Sequence, residues 1–140
     1  IMLALAKNKL VNVHSLIGLA IAPDFTKELI WNNLSDQKKE EVIINNKFSL
    51  SEDLEISYQF IKDGENNLVL KSPIEFEGSV YLYHGMMDTE VPYELSEKVL
   101  KKITKSNDVK LILEKHGEHR LSKYDEIETI KLLINKISKT

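Results

Sequence analysis

The sequence predicts an α/β domain in which parallel strands alternate with flanking helices, and three features carry that reading. The first is Val80–Tyr83, an apolar run alternating with aromatics, which reads as a buried strand. It is followed by Gly85 at a turn, Asp88 three residues on, and Pro92 opening the next segment. The second is the order from Val80 onward, strand, helix, strand, helix with short links, which is the pattern of a parallel sheet. The third is Val13–Ala22, a nearly continuous apolar run that fits a parallel strand covered on both faces.

In chain order, Ile1–Ala6 followed by Lys7-Asn8-Lys9 reads as the last turns of a buried helix, its lysines suiting the negative end of the helix dipole. The strand Val13–Ala22 comes next and is closed by Pro23 and Asp24. From Phe25 the pattern changes. Phe25, Leu29, Ile30 and Leu34 fall on one helical face, and Ser35 stands as the N-cap of a charged helix from Asp36 to about Asn45. Phe48, Leu50, Leu54, Ile56 and Tyr58 alternate around Ser51-Glu52-Asp53 as a short hairpin. Tyr58–Gly64 reads as one or two helical turns ended by Gly64, with Glu65-Asn66-Asn67 as a loop tip. The whole insertion, about residues 24–70, is expected to be a lid on a single partial domain spanning residues 1–140.

Regular order then resumes. After the strand at Val80, Pro92–Lys105 reads as a helix with Leu95, Val99, Leu100 and Ile103 on one face, and Val109–Leu113 as the next strand. Ser122–Lys136 is the closing helix, with Ile127, Ile130, Ile134 and Ile137 at helical spacing.

Composition excludes several classes. With no cysteine there is neither a disulfide framework nor a thiolate metal site. A net charge of −3 with dispersed basic residues argues against nucleic acid. No apolar run approaches the ~18 residues that span a bilayer, so a cytoplasmic protein is expected. Lysine outnumbers arginine 18 to one, with many Ile and Asn, a bias that suggests an AT-rich bacterial genome. The chain opens on Ile inside an apolar segment and is expected to be the downstream part of something longer.

The chemistry gathers at two strand ends. Taken alone, an Asp after His84-Gly85 is a turn residue. His119, in the loop after the next strand, changes its weight, because adjacent parallel strands place such loops together. A carboxylate at Asp88 can accept the Nδ1 proton of His119 and fix its tautomer, as the acid of a hydrolytic triad does, so the two are expected within ~2.6–3.2 Å of one another. His116 competes for the histidine role, though its position relative to Gly117 and the helix favours His119. His84 is expected to stabilise the turn. A zinc site from His84, Asp88, His116 and His119 is conceivable in ligand type, but no helical zinc signature is present, and neither metal nor cofactor is expected. The nucleophile is missing. An elbow needs glycines flanking the serine, and two residues after Gly18, Gly64, Gly78, Gly85 and Gly117 stand Ala20, Asn66, Val80, Met87 and His119. Ser15, in the first strand, points the wrong way to substitute.

HGMMDTEVP (residues 84–92) and KHGEHRL (115–121) resemble the acid and histidine motifs of the α/β-hydrolase fold family, and IMLALAKNK (1–9) resembles the helix after that family's Gly-x-Ser-x-Gly elbow. Within the family the chain is most similar to the branch of small acyl-protein thioesterases and acyl-glucuronide esterases. The similarity includes YQFIKD (58–63), the SPI before the acid strand (72–74), and Glu118-His119-Arg120. The resemblance implies the C-terminal half of an α/β-hydrolase domain, with Asp88 as triad acid and His119 as triad base. It implies a serine esterase or thioesterase acting on carboxylic esters or thioesters, with the nucleophile upstream of Ile1. On that basis the edge of the first strand is expected to be covered by homodimer formation or by pairing with the N-terminal half. A non-catalytic remnant or interaction module is the alternative.

Overall fold

The strand periodicity at Ser79–Gly85 organises the larger of two units. The computed structural model describes residues 2–51 and 54–138, and the chain divides into Ile1–Pro23 with Val69–Thr140, and Asp24–Leu68. In the first unit β1 (Ser15–Leu19), β4 (Ser79–Gly85) and β5 (Val109–Glu114) form a parallel sheet in the order β1-β4-β5; β2 (Lys47–Ser51) and β3 (Leu54–Ser57) belong to the second unit. Successive β4 side chains face opposite ways. Val80 and Leu82 join a core with Ala6 of helix α1 (Met2–Lys7), Leu16 of β1, and Val99 of helix α4 (Glu94–Lys102). Tyr81 and Tyr83 join Leu121 and Leu133, the latter on helix α5 (Tyr124–Ile137). Helices therefore cover both faces, as a parallel sheet requires.

Register sets where the loops leave the sheet. Gly85 pairs with Glu114 at the ends of β4 and β5, so the segments leaving both strands emerge side by side.

The second unit opens with a turn of π-helix, Thr26–Ile30, and a 3₁₀ turn, Trp31–Asn33. Helix α2 (Asp36–Asn45) comes next, capped by Ser35, whose Oγ accepts from the Lys38 N–H at 3.2 Å. Strands β2 (Lys47–Ser51) and β3 (Leu54–Ser57) form an antiparallel pair, and helix α3 (Tyr58–Asn66) closes the unit. Its core is Ile30, Val42 and Ile61.

Several expectations shift. The first helix is described from Met2, Ile1 lying outside the described residues, as do Glu52 and Asp53 of the expected hairpin turn. The run Val13–Ala22 contracts to Ser15–Leu19 and only Leu16 in it is buried. β1 pairs with β4 alone among the described residues, and the strand ends at Ala20, whose N–H still donates to the Tyr83 carbonyl at 2.9 Å but whose φ is +43°. The helix expected over Pro92–Lys105 ends at Lys102, because Ile103 turns extended and bridges Ile74. Phe25–Leu34 is not one α-helical face but the π and 3₁₀ turns.

Gly64 does not end its helix. Glu65 and Asn66 continue α3 in place of the expected loop tip, and a Cβ on Gly64 would fall 2.1 Å from Thr26 Oγ1. Its role is close packing. On α5 the inward face is Glu126, Ile130, Leu133 and Ile137, whereas Ile127 and Ile134 are 40% and 48% exposed. Glu126 turns inward because its carboxylate accepts the Lys123 N–H at 2.7 Å and caps the helix start.

Candidate active site

The β4 alternation that buries Val80 and Leu82 also carries His84 inward, on the side of α4. There the helix presents Leu95, Ser96 and Val99. His84 is 0% exposed, and its Nδ1 lies 2.7 Å from Ser96 Oγ. Its Nε2 faces the Val91 carbonyl at 3.0 Å and Asp88 Oδ2 at 3.2 Å.

Beyond His84 the chain turns at Gly85. The glycines of this protein all have ordinary negative φ, so the reason for Gly85 is close approach rather than a left-handed turn. A Cβ there would lie 2.2 Å from the Gly117 carbonyl oxygen, and a Cβ on Gly117 would lie 3.0 Å from Gly85 Cα. The two glycines let the loops after β4 and β5 touch through their backbones, and the Met87 N–H donates to the Gly117 carbonyl at 2.9 Å.

This contact brings Asp88 and His119 together, with His119 Nδ1 2.9 Å from Asp88 Oδ2. The other carboxylate oxygen accepts the N–H groups of Glu90 and Val91, both at 2.8 Å. The Asp88 side chain is fully enclosed. Burial acts to raise its carboxyl, but the Val91 N–H, His119 and the Glu90 N–H outweigh it and hold the group below the ordinary carboxylate range. An ionised carboxylate on Nδ1 leaves His119 Nε2 to exchange a proton with a reacting group.

His119 is 34% exposed, and Nε2 has Glu90 Oε2 at 3.7 Å. Its ring lines an open cleft of about 330 Å³ with Met87, Thr89, Glu90, Glu118 and Arg120. His116 is exposed and remote from the pair in its bonding. Its carbonyl accepts from Lys123 Nζ at 2.8 Å. The structure thus brings together Asp88, His119 and His84, and leaves His116 apart. Among the described residues no cluster of three His, Asp or Glu side chains is arranged to hold a metal ion.

Sequence reasoning missed Ser96. The available signal was the inward stripe of α4, where Ser96 is the polar residue between Leu95 and Val99. Ser96, His84 and Asp88 make a Ser–His–Asp string, but Ser96 is 1% exposed and no substrate carbonyl can reach it.

A doubly covered parallel sheet with a histidine hydrogen-bonded to a carboxylate, on loops leaving consecutive strands, has the arrangement of hydrolases of the α/β class. Comparison with known proteins agrees: the chain has the α/β-hydrolase fold. Over 136 residues, 90% of this chain, it is 37% identical to human mitochondrial palmitoyl-protein thioesterase ABHD10, and it is 34% identical to the mouse protein over 135 residues. It spans 44% of the human protein's length, so it corresponds to about half of the curated relatives it matches. Among solved structures, mouse α/β hydrolase domain-containing protein 10 superposes with a TM-score of 0.83 at 33% identity, covering 97% of this chain and 58% of that one. A putative hydrolase from Agrobacterium vitis S4 gives 0.84 at 28% identity, over 97% of this chain and 56% of that one. No family model matches.

Proposed function

We propose that this chain supplies the acid, Asp88, and the base, His119, of a serine esterase or thioesterase acting on carboxylic esters or thioesters. The observation that carries the reading is the 2.9 Å contact between His119 Nδ1 and Asp88 Oδ2, with His119 also lining a cleft. In such a site His119 Nε2 takes the proton of a serine hydroxyl as it attacks the acyl carbon. It then returns the proton to the departing alcohol or thiol, and Asp88 stabilises the imidazolium between the two steps. The similarity to palmitoyl-protein thioesterases supports acyl transfer as the reaction class.

No serine of the sequence follows a Gly-x setting, so the nucleophile is proposed to come from polypeptide outside these residues. The segment Asp24–Leu68 is proposed as the lid on chain order alone, since it stands between the first two strands of the sheet. A bacterial cytoplasmic setting is proposed from composition. Among the described residues no helix is long and apolar enough to cross a membrane, whereas the curated relatives are named as mitochondrial. Pairing of the outer edge of β1, in a homodimer or with a further part of the same fold, is proposed because β1 has one strand partner among the described residues. Sedimentation at tens of micromolar checks this, and a dispersed monomer with exchange-protected Ser15–Leu19 amides on both edges contradicts it.

The decisive assay is hydrolysis of p-nitrophenyl butyrate and an acyl thioester. The purified chain alone is expected to give no turnover. Combined with a polypeptide that carries the Gly-x-Ser-x-Gly elbow, it is expected to give turnover abolished by His119→Ala and by Asp88→Asn. Turnover that survives both substitutions sinks the proposal.

A further inference from the structure

We propose that His84 is a positioning residue for the Asp88 carboxylate: a buried neutral imidazole, held in its Nε2–H form, that sets which way Oδ2 faces His119. The inference rests on reading Asp88 and His119 as the acid–base pair, and it adds a third side chain and a fourth, Ser96, behind them.

The proton assignment follows from the partners. His84 Nε2 faces a carbonyl, Val91 O at 3.0 Å, and a carboxylate oxygen, Asp88 Oδ2 at 3.2 Å. A carbonyl only accepts, and an ionised carboxylate only accepts, so the hydrogen resides on Nε2. Nδ1 is then an acceptor, and Ser96 Oγ at 2.7 Å donates to it. With one hydrogen, on Nε2, both nitrogens of this fully buried ring are paired.

The mechanical consequence concerns one rotation. Asp88 Oδ1 is pinned by the N–H groups of Glu90 and Val91 at 2.8 Å each. Rotation about Cβ–Cγ moves both oxygens together, so it would break these two bonds as it swung Oδ2 away from His119. The His84 Nε2–H opposes the same rotation at Oδ2, where the backbone donors do not reach, and Ser96 pairs the other ring nitrogen, Nδ1. Because His84 sits on β4 and Ser96 on α4, the latch is built on regular elements rather than on the loop that it orients.

The experiment is long-range ¹H–¹⁵N spectroscopy of the ¹⁵N-histidine-labelled chain, with His84→Leu, His84→Phe and His84→Gln variants and thermal melting as a check on folding. In the parent, His84 is expected in the Nε2–H form. His119 is expected to favour Nδ1–H by at least about tenfold, as a charge-assisted hydrogen bond allows. His84→Leu removes the donor and should lower the His119 ratio severalfold. His84→Gln returns an N–H close to the position of Nε2 and should restore most of it. If His84→Leu does not fold, His84→Phe carries the comparison: it keeps a planar ring without the N–H, and should lower the His119 ratio as Leu does. The proposal is overturned by an Nδ1–H or cationic His84 in the parent. It is equally overturned by a folded His84→Leu or His84→Phe with the parent ratio, or by Gln restoring no more than Leu. None of these readouts needs turnover. A chain that hydrolyses nothing when complemented, yet gives the expected ratios, loses the catalytic reading and keeps the latch.

Discussion

Gly85→Ala tests whether the Asp88–His119 pair depends on backbone-to-backbone contact of two loops. A Cβ at residue 85 would lie 2.2 Å from the Gly117 oxygen and 2.4 Å from its carbonyl carbon, and against the 3.4 Å at which ordinary contact begins the shortfall is about 1.2 Å. The obstacle is backbone, so no rotamer change relieves it and the loop after β5 has to retreat. A retreat of that size stretches the 2.9 Å His119–Asp88 contact to about 4 Å, outside hydrogen-bond range, and breaks the 2.9 Å bond from the Met87 N–H. Overpacking and the lost backbone bond together cost about 2–4 kcal/mol, a fall in melting temperature of roughly 10 °C. A misplacement of about 1 Å costs ~10²-fold in rate wherever the pair is catalytic. Thermal unfolding and the His119 tautomer signal are the assays. Gly18→Ala is the comparison, because its Cβ meets methyl groups of the Ile21 and Leu82 side chains, at 2.7 and 2.9 Å, rather than the backbone of the site loops. A Gly85→Ala protein that melts within about 2 °C of the parent and keeps the parent histidine spectrum would refute the dependence.

Three further outcomes are expected. Asp108 is held down to about 2 by Lys110 and by the Tyr81 hydroxyl. Its contribution is therefore complete above the ordinary 3.8 and lost as the pH falls toward 2; a melting series over that window should be shallower in Asp108→Asn, and parallel curves would rule out the assignment. Gly64→Ala drives a Cβ to 2.1 Å from Thr26 Oγ1, so amide exchange within Asp24–Leu68 should accelerate by a factor set by about 1–3 kcal/mol, and unchanged protection would show that the turn yields freely. Glu126→Ala removes the acceptor of the Lys123 N–H and should destabilise by about 0.5–2 kcal/mol in urea, whereas a variant as stable as the parent would mean that the cap is redundant.

The strands and the acid–histidine pair are legible in the sequence because each rests on a local rule. An unbroken apolar and aromatic run, buried on both faces, marks Val80–Tyr83, and parallel order places the loops carrying Asp88 and His119 at one end of the sheet. What misleads is pattern without competition from capping or bridging. Ile127 and Ile134 sit at helical spacing with Ile130 and Ile137, but Glu126 is drawn inward to the helix N-terminus and turns the face so that Leu133 is buried instead. Ile103 belongs to the apolar stripe of α4 by spacing, yet backbone bridging to Ile74 ends the helix one residue earlier.

Gly85 stands out in the sequence as a turn glycine, whereas in the fold it matters for a different reason. A glycine that avoids a left-handed φ penalty and a glycine that admits another chain segment leave the same letter in a sequence. Only the second depends on a residue 32 positions away, and it is this second kind that assembles the site. The same limit hides Ser96. Its partner His84 is close in sequence, but their contact requires knowing that β4 turns His84 toward the helix that presents Ser96. The even positions of the strand, Val80, Leu82 and His84, already share one face, and an inward helix stripe of Leu95, Ser96 and Val99 offers one hydroxyl to meet the imidazole. Two lone polar residues on two facing apolar stripes are better explained by each other than by separate roles, since either one left alone would be a buried polar group without a partner, at a cost of ~1–3 kcal/mol.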